Sequence, residues 1–599
     1  MSFPRPEYPR PQFVRADWLN LNGEWEFEFD PGDSGLERGL RERSLSGRIL
    51  VPFCPESQLS GIGDTDFHRA AWYRRQVAIP AEWQGRSVLL HFQAVDYDAT
   101  VWVNGVEVVR HRGGYTPFTC NLKQLAKAGE TITIVVRARD FHDRPLPSGK
   151  QAREYGNNGC MYTRTTGIWQ TVWLEPVSET SLMSAGRPRI TPDVANARFH
   201  LELPLSGPRQ GFQVRATLSD QAGPICQATV SAERDFAPQC DLAIPPERLR
   251  LWQPGSPYLY DILLEVIAPD GTVVDRVSSY AGLRSVMIEG RYVQINSKVV
   301  FQRLVLDQGF YPDGIYTAPS DEALIEDIEL SLAAGFNGAR LHQKVFEERF
   351  LYHADRLGYL LWGEFPDWGC GGLGPAHNHQ QPTASYITQW LEEIQRDYSH
   401  PSIIGWCPLN ETWQVLTDHI GALDDVTRGM FLAAKALDTT RPVLDTSGYS
   451  HRVLEADIYD SHDYEQDPVK FKATHDGAAE GKPFANRHWP DQKLLFSVPY
   501  GGQPYFVSEF GGIWWNPNAK PGEDSWGYGN RPQSLEEFYA RFEGLCNALL
   551  DNPGMFAYCY TQLTDVYQEQ NGIYTFTRQA KFDLEKLKKI QSRLAVCEK

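Results

Sequence analysis

The chain has 599 residues, which at roughly 150 residues per domain predicts three or four domains, or fewer if one of them is a large barrel. Apolar residues make up 42% and aromatic residues 12%, with 17 tryptophans, so the composition is that of a globular chain and excludes a disordered one. A net charge of −18 without a long Lys/Arg run disfavours nucleic acid and anionic membranes, because both are bound through basic surfaces.

The N-terminal stretch and the cysteines predict the compartment. "MSFPRPEYPRPQFVRADW" lacks the apolar core of a secretory signal, and no stretch has the length and apolar content of a membrane-spanning helix. The ten cysteines are scattered without C-x-x-C pairs, which is typical of reduced structural thiols. We therefore expect a cytoplasmic protein.

Short alternating strands fill the chain up to about residue 180. In residues 87–114, "SVLLHFQAVDYDATVWVNGVEVVRHRGG", apolar Leu90 and Phe92 alternate with His91 and Gln93, and "VNG" marks a hairpin turn. No convincing helix longer than two turns interrupts this region. The pattern predicts a jelly-roll β-sandwich over residues 1–180.

A second group of strands covers residues 181–285. The segments are "ARFHLELPL", "FQVRATLSD", "CQATVSA" and "YLYDILLEVIAP". Their spacing is typical of a seven-stranded immunoglobulin-like β-sandwich of about 100 residues.

After residue 286 strand-like runs alternate with amphipathic helices. In "SDEALIEDIELSLAAG", Leu324, Ile328 and Leu332 recur at helical spacing, with Ser320 as a plausible N-cap and Gly335 as the residue after the C-terminus.

Eight strand candidates, most of them followed by a helix, predict a (β/α)₈ barrel over residues 286–599. The stretch 465–503 interrupts this series as a long Pro/Gly/His-containing insertion. A doubly wound open sheet is the structural alternative, but no G-x-G-x-x-G follows a strand to support it.

Two glutamates stand at the ends of apolar strands. Glu411 ends "SIIGWCPLNE", counted as the fourth barrel strand, and Glu509 lies in "YFVSEFGG", counted as the seventh. A carboxylate there costs free energy unless it is paired or faces a solvated cleft, and barrel closure would bring the two face to face. Glycoside hydrolysis needs such a pair, one protonated and one ionised. The alternative is two structural glutamates in unrelated ion pairs.

The segments around these glutamates resemble glycoside hydrolase family 2, which includes β-galactosidases, β-glucuronidases and β-mannosidases. "HPSIIGWCPLNETW" is similar to its acid/base segment and "PYFVSEFGG" to its nucleophile segment. "GFNGARLH" and "LGYLLWGEF" are similar to its second and third barrel strands. "RADWLNLNGEWEFEFD" and "TTGIWQTVWLE" resemble its N-terminal sugar-binding domain. The resemblance covers nearly the whole chain.

The resemblance implies a retaining double displacement. Glu411 would be the general acid/base and Glu509 the nucleophile, with the carboxyl groups roughly 5–5.5 Å apart. Asn410 would orient the sugar 2-hydroxyl, and Arg340 would hold the nucleophile ionised. Tyr464 is the candidate for a tyrosine that hydrogen-bonds the nucleophile. The family's accessory sandwiches also imply a homo-oligomer, a dimer or a tetramer.

The sugar is assigned by elimination. Glucuronidases of the family carry an Asn-x-Lys pair near the eighth strand, and alignment on "GIYT" puts Glu569 and Asn571 at those positions, so a glucuronide is disfavoured. The Trp-Gly-rich run of β-mannosidases is replaced by "RLHQKVF". The Ser-His-Tyr-Pro run of the family's β-galactosidases is also replaced, by "LHQK". An exo-acting β-galactosidase is favoured by elimination and because the resemblance makes that activity a common one. The alternatives are a furanosidase (β-galactofuranosidase or α-L-arabinofuranosidase), then a β-glucuronidase or β-mannosidase.

Further substrate-binding candidates follow from their positions after predicted strands. They are Asp307, Gln308, His342, Glu364, Asp367 and His462. Second-neighbour or purely structural roles are the alternative for each. Among the barrel tryptophans, Trp413 and Trp514 are the candidates to stack on a sugar face, and core packing is the ordinary role of the others.

No cofactor is predicted to be required. His377 and His379 in "AHNHQ" are two residues apart with no third ligand at helical spacing, so zinc catalysis is disfavoured. The resemblance adds only that Mg²⁺ or Na⁺ lies near the site in some relatives.

Two non-enzymatic functions are the alternatives to glycoside hydrolysis. A catalytically inactive carbohydrate-binding protein is disfavoured, because both glutamates remain. A scaffold protein built on the two sandwiches is also disfavoured, because the sequence shows neither a repeat nor a charged tail.

Overall fold

The computed structural model describes residues 3–370, 381–487, 493–517, 519 and 524–599. It has the predicted fold, two β-sandwiches followed by a barrel of parallel strands. His377 and His379 lie outside the described residues. Within the described residues no helix combines the length and the apolar character that a membrane crossing needs.

The N-terminal sandwich packs two antiparallel sheets around a core that includes Trp25, Leu90 and Val136. Its helices in the described residues are single 3₁₀ turns. In spatial order, the strands of the six-stranded sheet are Gly47–Val51, Gly23–Phe29, Ala70–Ala78, Thr131–Arg139, Asp98–Val103 and Val106–Arg112. Those of the four-stranded sheet are Phe118–Asn121, Ser87–Phe92, Val172–Val177 and Leu19–Asn20, and Val95–Asp96 pairs with Gly167–Ile168.

The second sandwich has a three-stranded sheet facing a five-stranded one. The first consists of Arg189–Asp193, Arg198–Glu202 and Gln239–Ala243. The second consists of Phe13–Val14, Val273–Ala281, Tyr260–Ile267, Gln213–Asp220 and Gly223–Ser231, in that order. The apolar faces of these strands form one buried core, which explains the alternation seen in the sequence.

The N-terminal segment joins the two sandwiches. Phe13 pairs with Ser279 of the second sandwich. One strand of the second sandwich's sheet therefore comes from the N-terminal segment, far before residue 180. Close by, the Arg15 guanidinium bridges Glu175 of the first sandwich at 3.0 Å and Asp275 of the second at 2.8 Å. All three side chains are buried.

Seven parallel strands make up most of the barrel. In spatial order they are Ile403–Cys407, Leu360–Glu364, Gly338–Leu341, Gln302–Asp307, Met555–Thr561, Tyr505–Gly511 and Tyr459–Asp463. Residues 442–447 occupy the remaining position, where Val443 bridges Trp406 and Ser447 bridges Asn410. The hairpin strands Val286–Glu289, Tyr292–Ile295 and Lys298–Val299 precede the barrel, and Ile295 packs in one cluster with Leu304 and Trp362.

Helices surround these strands. They are Asp321–Ala333, Glu348–Leu357, Ala384–Asp397, Ala422–Leu437, Pro468–His475, Leu535–Leu550 and Leu584–Gln591. The predicted caps are confirmed, since Ser320 accepts the Ala323 N–H and Gly335 follows the helix with φ +95°. Pro468–His475 lies in the stretch interpreted from sequence as an insertion. A proline at the first helical position is compatible with a helix, and Asp467 caps it.

Candidate active site

The two predicted glutamates meet at the carboxyl ends of the barrel strands. Glu509 lies within the strand Tyr505–Gly511, and Glu411 lies beyond the end of Ile403–Cys407. One carboxylate oxygen of each and a ring nitrogen of His462 all lie within 4.8 Å of one another. Barrel closure therefore brings together two side chains that are far apart in sequence, as expected for this fold.

Glu411 has an unusual backbone conformation. Its φ is +48°, in the left-handed region that few non-glycine residues adopt and that carries local strain. Its N–H donates to the Ser447 carbonyl at 2.9 Å, which holds this conformation. The side chain is 18% exposed, so the carboxylate is anchored by its backbone yet reaches solvent.

Glu509 is buried and surrounded by donors. Arg340 donates to Oε1 at 3.2 Å and the Tyr464 hydroxyl donates to Oε2 at 2.5 Å. Burial by itself would raise the pKa of Glu509, but the nearby charges of His462, His342 and Arg340 overcome it and lower that pKa from 4.5 to about 2. This carboxylate is therefore ionised at neutral pH.

Arg340 orients three site groups at once. Its Nη1 donates to the Ser508 carbonyl at 2.7 Å, and its Nη2 donates to Glu364 at 2.6 Å and to the Asn410 Oδ1 at 2.8 Å. Because a guanidinium only donates, it fixes the Asn410 amide with its oxygen toward Arg340. Within the described residues the buried Asn410 Nδ2 has no acceptor, so it remains available to a ligand.

His462 lies between the two glutamates. Its Nδ1 is 2.8 Å from Glu411 Oε1 and 3.4 Å from Glu509 Oε2, and its Nε2 faces the Ser447 hydroxyl at 3.0 Å. Burial would lower the pKa of His462, but the charges of Glu509 and Glu411 raise it above its usual value. A charged imidazole here reduces the repulsion between the two carboxylates.

Other predicted residues lie behind the nucleophile. His342 Nδ1 is 2.9 Å from Glu364 and 3.9 Å from Glu509. Burial would raise the pKa of Glu364, but Arg340 and His342 lower it. Burial raises the pKa of Asp367, which accepts the Asn410 N–H at 3.1 Å. Glu364 and Asp367 therefore position Arg340 and Asn410, the residues next to the reacting pair.

The remaining candidates are spread around the rim. Asp307 accepts the Gly309 N–H at 2.9 Å, and burial beside Asp327 raises its pKa to about 7. Gln308 donates to the Tyr162 hydroxyl at 3.3 Å. The Trp514 indole donates to Ser525 at 3.1 Å. In the described part of the chain, none of these three side chains is hydrogen-bonded to either glutamate.

A cavity of about 590 Å³ opens beside Glu411. Glu411, His462 and Tyr464 contribute its polar wall. The aromatic wall consists of Trp368, Trp413, Tyr449, Phe484 and Phe496. Trp413 is 47% exposed at this cavity, whereas Trp514 is outside the lining as far as the described residues show. Ligand cavities of this size and mixed lining are common in proteins.

Glu411, His462 and Glu509 are also the one group of described residues whose ligand atoms could hold a metal ion. The raised pKa of His462 opposes this, because a metal needs the neutral imidazole. The expectation that no cofactor is required stays a prediction.

Two residues near the site, Tyr528 and Lys150, were not predicted from the sequence. Tyr528 stacks on Tyr464 with ring centroids 3.4 Å apart. Lys150 comes from the N-terminal sandwich and places its ammonium 5.2 Å from the Trp368 ring centroid. No motif or periodicity in "PSGKQAREYG" marks this lysine, and only the contact between domains reveals it.

Three family profiles match successive parts of the chain. The sugar-binding domain of glycosyl hydrolases family 2 matches residues 63–173, glycosyl hydrolases family 2 matches residues 186–284, and its TIM barrel domain matches residues 318–486.

Individual proteins are similar over most of the chain. A β-glucuronidase of Paenibacillus borealis is 26% identical over 462 residues, 73% of this chain and 74% of that protein. A β-galactosidase of Thermoanaerobacter pseudethanolicus is 25% identical over 446 residues, 71% of this chain and 54% of that protein. The crystal structure of Ruminococcus gnavus β-glucuronidase superposes with a TM-score of 0.78 at 19% identity, covering 99% of this chain and 100% of that one. This likeness establishes the fold.

Proposed function

Because this chain belongs to glycoside hydrolase family 2 and is a glycosidase, we propose that it removes a terminal non-reducing sugar from β-glycosides with retention of configuration. The observation that carries the proposal is the pair Glu411 and Glu509, with carboxylate oxygens within 4.8 Å. Retaining enzymes place these groups about 5–5.5 Å apart, whereas inverting enzymes leave about 6.5–9.5 Å for a water molecule. The separation here supports retention.

Glu509 is the nucleophile of this proposal and Glu411 the general acid/base. The ionised Glu509 attacks the anomeric carbon while Glu411 gives its proton to the departing oxygen, and the sugar becomes bound to Glu509. Glu411 then takes a proton from water, the water oxygen attacks the same carbon, and the Glu509 bond breaks. The low pKa of Glu509 and the partly exposed position of Glu411 support this division of roles.

Asn410 and the aromatic cavity hold the substrate. The Asn410 Nδ2, which has no acceptor among the described residues, is placed to donate to the 2-hydroxyl. This hydrogen bond strengthens as positive charge develops on the ring. Since Glu411 forms part of the cavity wall, the aromatic rings of that cavity surround the leaving group.

For the sugar, we propose a β-glucuronide. The relatives named β-glucuronidase support it, among them the Paenibacillus borealis and rat proteins. The β-galactosidase predicted from the sequence is not confirmed. A β-galactoside is the second candidate, because Glu569 and Asn571 stand where the sequence comparison expected Asn and Lys, and because one relative is named β-galactosidase.

A panel of 4-nitrophenyl glycosides tests the proposal: β-glucuronide, β-galactoside, β-mannoside, β-galactofuranoside and α-arabinofuranoside. Glu509→Ala should lose activity on every substrate that the wild type cleaves and regain part of it with azide, giving an α-glycosyl azide. The exposed Glu24→Ala is the matched control and should keep full activity. Wild-type activity in Glu509→Ala without azide would refute the assignment.

A further inference from the structure

Lys150 is a charged side chain that the catalytic mechanism does not use. It belongs to the loop before Tyr162 in the N-terminal sandwich and is 6% exposed. Within the described residues its ammonium makes no hydrogen bond and no ion pair. A buried cation without an acceptor is costly, so such a group indicates a ligand that supplies one.

The loop is fixed against the barrel by its backbone. The Ser148 N–H donates to the Trp368 carbonyl at 2.7 Å, and the Gly149 N–H donates to the Pro366 carbonyl at 3.1 Å. On the other side the Tyr162 N–H donates to the Lys150 carbonyl at 2.8 Å. Lys150 is thus held over the rim of the barrel by two elements.

Gly149 allows this close approach. Its φ is +57°, and a Cβ there would lie 2.2 Å from the carbonyl oxygen of Gln343, next to His342. The backbone before Lys150 therefore packs directly on the loop that carries part of the site.

The ammonium faces the catalytic centre. Its Nζ is 5.2 Å from the ring centroid of Trp368, which lines the cavity beside Glu411. Burial would lower the pKa of Lys150, but the charges of Glu569, Glu509 and Glu411 raise it, so the group is charged at neutral pH. The same carboxylates would surround a sugar bound between them.

Glu569 does not satisfy this cation. It accepts a hydrogen bond from the Tyr162 hydroxyl, and the Asn571 amide donates to its Oε1 at 3.1 Å. Each Glu569 oxygen thus already accepts a hydrogen bond from a neutral donor, and no ion pair joins Glu569 to the Lys150 ammonium within the described residues. A ligand carboxylate would supply both the acceptor and the opposite charge that this ammonium lacks, whereas a ligand hydroxyl would supply the acceptor only.

We propose that Lys150 is a specificity-determining residue that binds the carboxylate of a terminal uronic acid, and thereby replaces the lysine that is absent after the last barrel strand. The inference rests on the proposed glycosidase function and deepens it by naming the residue that recognises the sugar. The cation is then supplied across a domain boundary instead of from the barrel.

Matched substrates isolate the carboxylate. The 4-nitrophenyl β-glucuronide and β-glucoside differ only at C6, and the β-galacturonide and β-galactoside form a second such pair. Lys150→Met should lower kcat/KM on the better uronide by about 30-fold or more, the effect of truncating one partner of a buried charge pair. Its kcat/KM on the matched neutral glycoside should change by less than about threefold, because the carboxylate contact is absent there.

Three further variants test whether the charge of Lys150 causes the uronide preference. Lys150→Arg should retain part of the uronide preference, because it keeps the charge. Lys127→Met removes an exposed lysine of the same domain and should change nothing. Glu569→Gln removes the nearest competing negative charge and should increase uronide preference, which tests the idea even if Lys150→Met does not fold.

Calorimetric titration of the wild type and Lys150→Met with D-glucuronate and D-glucose separates this inference from the proposed function. Glucuronate binding that weakens only in Lys150→Met supports the inference, and it does so even if the chain cleaves no glycoside and the proposed function fails. The inference is overturned if the enzyme cleaves glycosides but Lys150→Met lowers kcat/KM equally on the uronide and the neutral glycoside, or lowers it on neither. The proposed glycosidase function would still stand.

Discussion

Removing the imidazole between the two glutamates should move the acid limb of the enzyme's pH profile. His462 contributes the largest of the favourable charges that lower the Glu509 pKa from 4.5 to about 2. That shift corresponds to about 3 kcal/mol in favour of the ionised carboxylate. His462→Gln keeps a side chain of similar size and removes the charge.

The expected magnitude follows from the distances. An opposite charge within about 4–6 Å shifts a carboxyl pKa by about 1–3 units, and the His462 Nδ1 is 3.4 Å from Glu509. Without it, the pKa of Glu509 should rise from about 2 to about 3–5. Glu509 is ionised and active above its pKa in the folded enzyme, and activity is lost as the pH falls through that pKa. A higher pKa therefore moves the acid limb to higher pH.

The assay is kcat/KM against pH with 2,4-dinitrophenyl glycosides, whose leaving group scarcely needs protonation by Glu411. The wild type should keep its activity down to the pH at which the fold is lost, whereas His462→Gln should lose activity above it. His342→Gln is the matched control and should shift the limb less, because its Nδ1 lies 3.9 Å from Glu509 and closer, at 2.9 Å, to Glu364. An unchanged limb in His462→Gln would refute the reasoning.

Three other perturbations have defined outcomes. Glu411→Gln should lower kcat/KM about 10²–10⁴-fold on phenyl glycosides but little on dinitrophenyl ones, as a leaving-group series would measure. Asn410→Ala should cost most of its activity on the parent sugar and little on the 2-deoxy sugar; equal losses in this double-mutant cycle would contradict the contact. Arg15→Met should destabilise the protein by about 3–5 kcal/mol in urea unfolding, because it leaves the buried Asp275 without its arginine, whereas Glu175 keeps its ion pair with Arg10.

Local patterns were sufficient for most of the architecture. Alternation of apolar and polar residues predicts the sandwiches, and the helix that Ser320 caps begins where its sequence indicates. The glutamate pair was also predictable, since Glu411 and Glu509 each follow an apolar run in a fold whose strands end at one rim. His462 and Tyr464 lie near Glu509 for the same reason.

Contacts between distant segments were not predictable from such patterns. The pairing of Phe13–Val14 with Val273–Ala281 depends on how two domains meet. A strand of two residues is also too short to show the alternation of apolar and polar residues. Lys150 reaches the site through loop packing, which no spacing rule describes. The motifs that distinguish the family's sugars lie in the barrel, at residues such as Glu569, so they carry no information about a cation from another domain.

The strand Phe13–Val14 also fixes an order of events during synthesis. Its partner residues Ser278 and Ser279 leave the ribosome about 260 residues later. At about 5–20 residues per second this is a wait of roughly 10–50 s. The nascent chain therefore carries an unpaired edge segment until the second sandwich emerges. An N-terminal fusion that hinders the pairing of this segment should slow folding of the enzyme, although no barrel residue is changed.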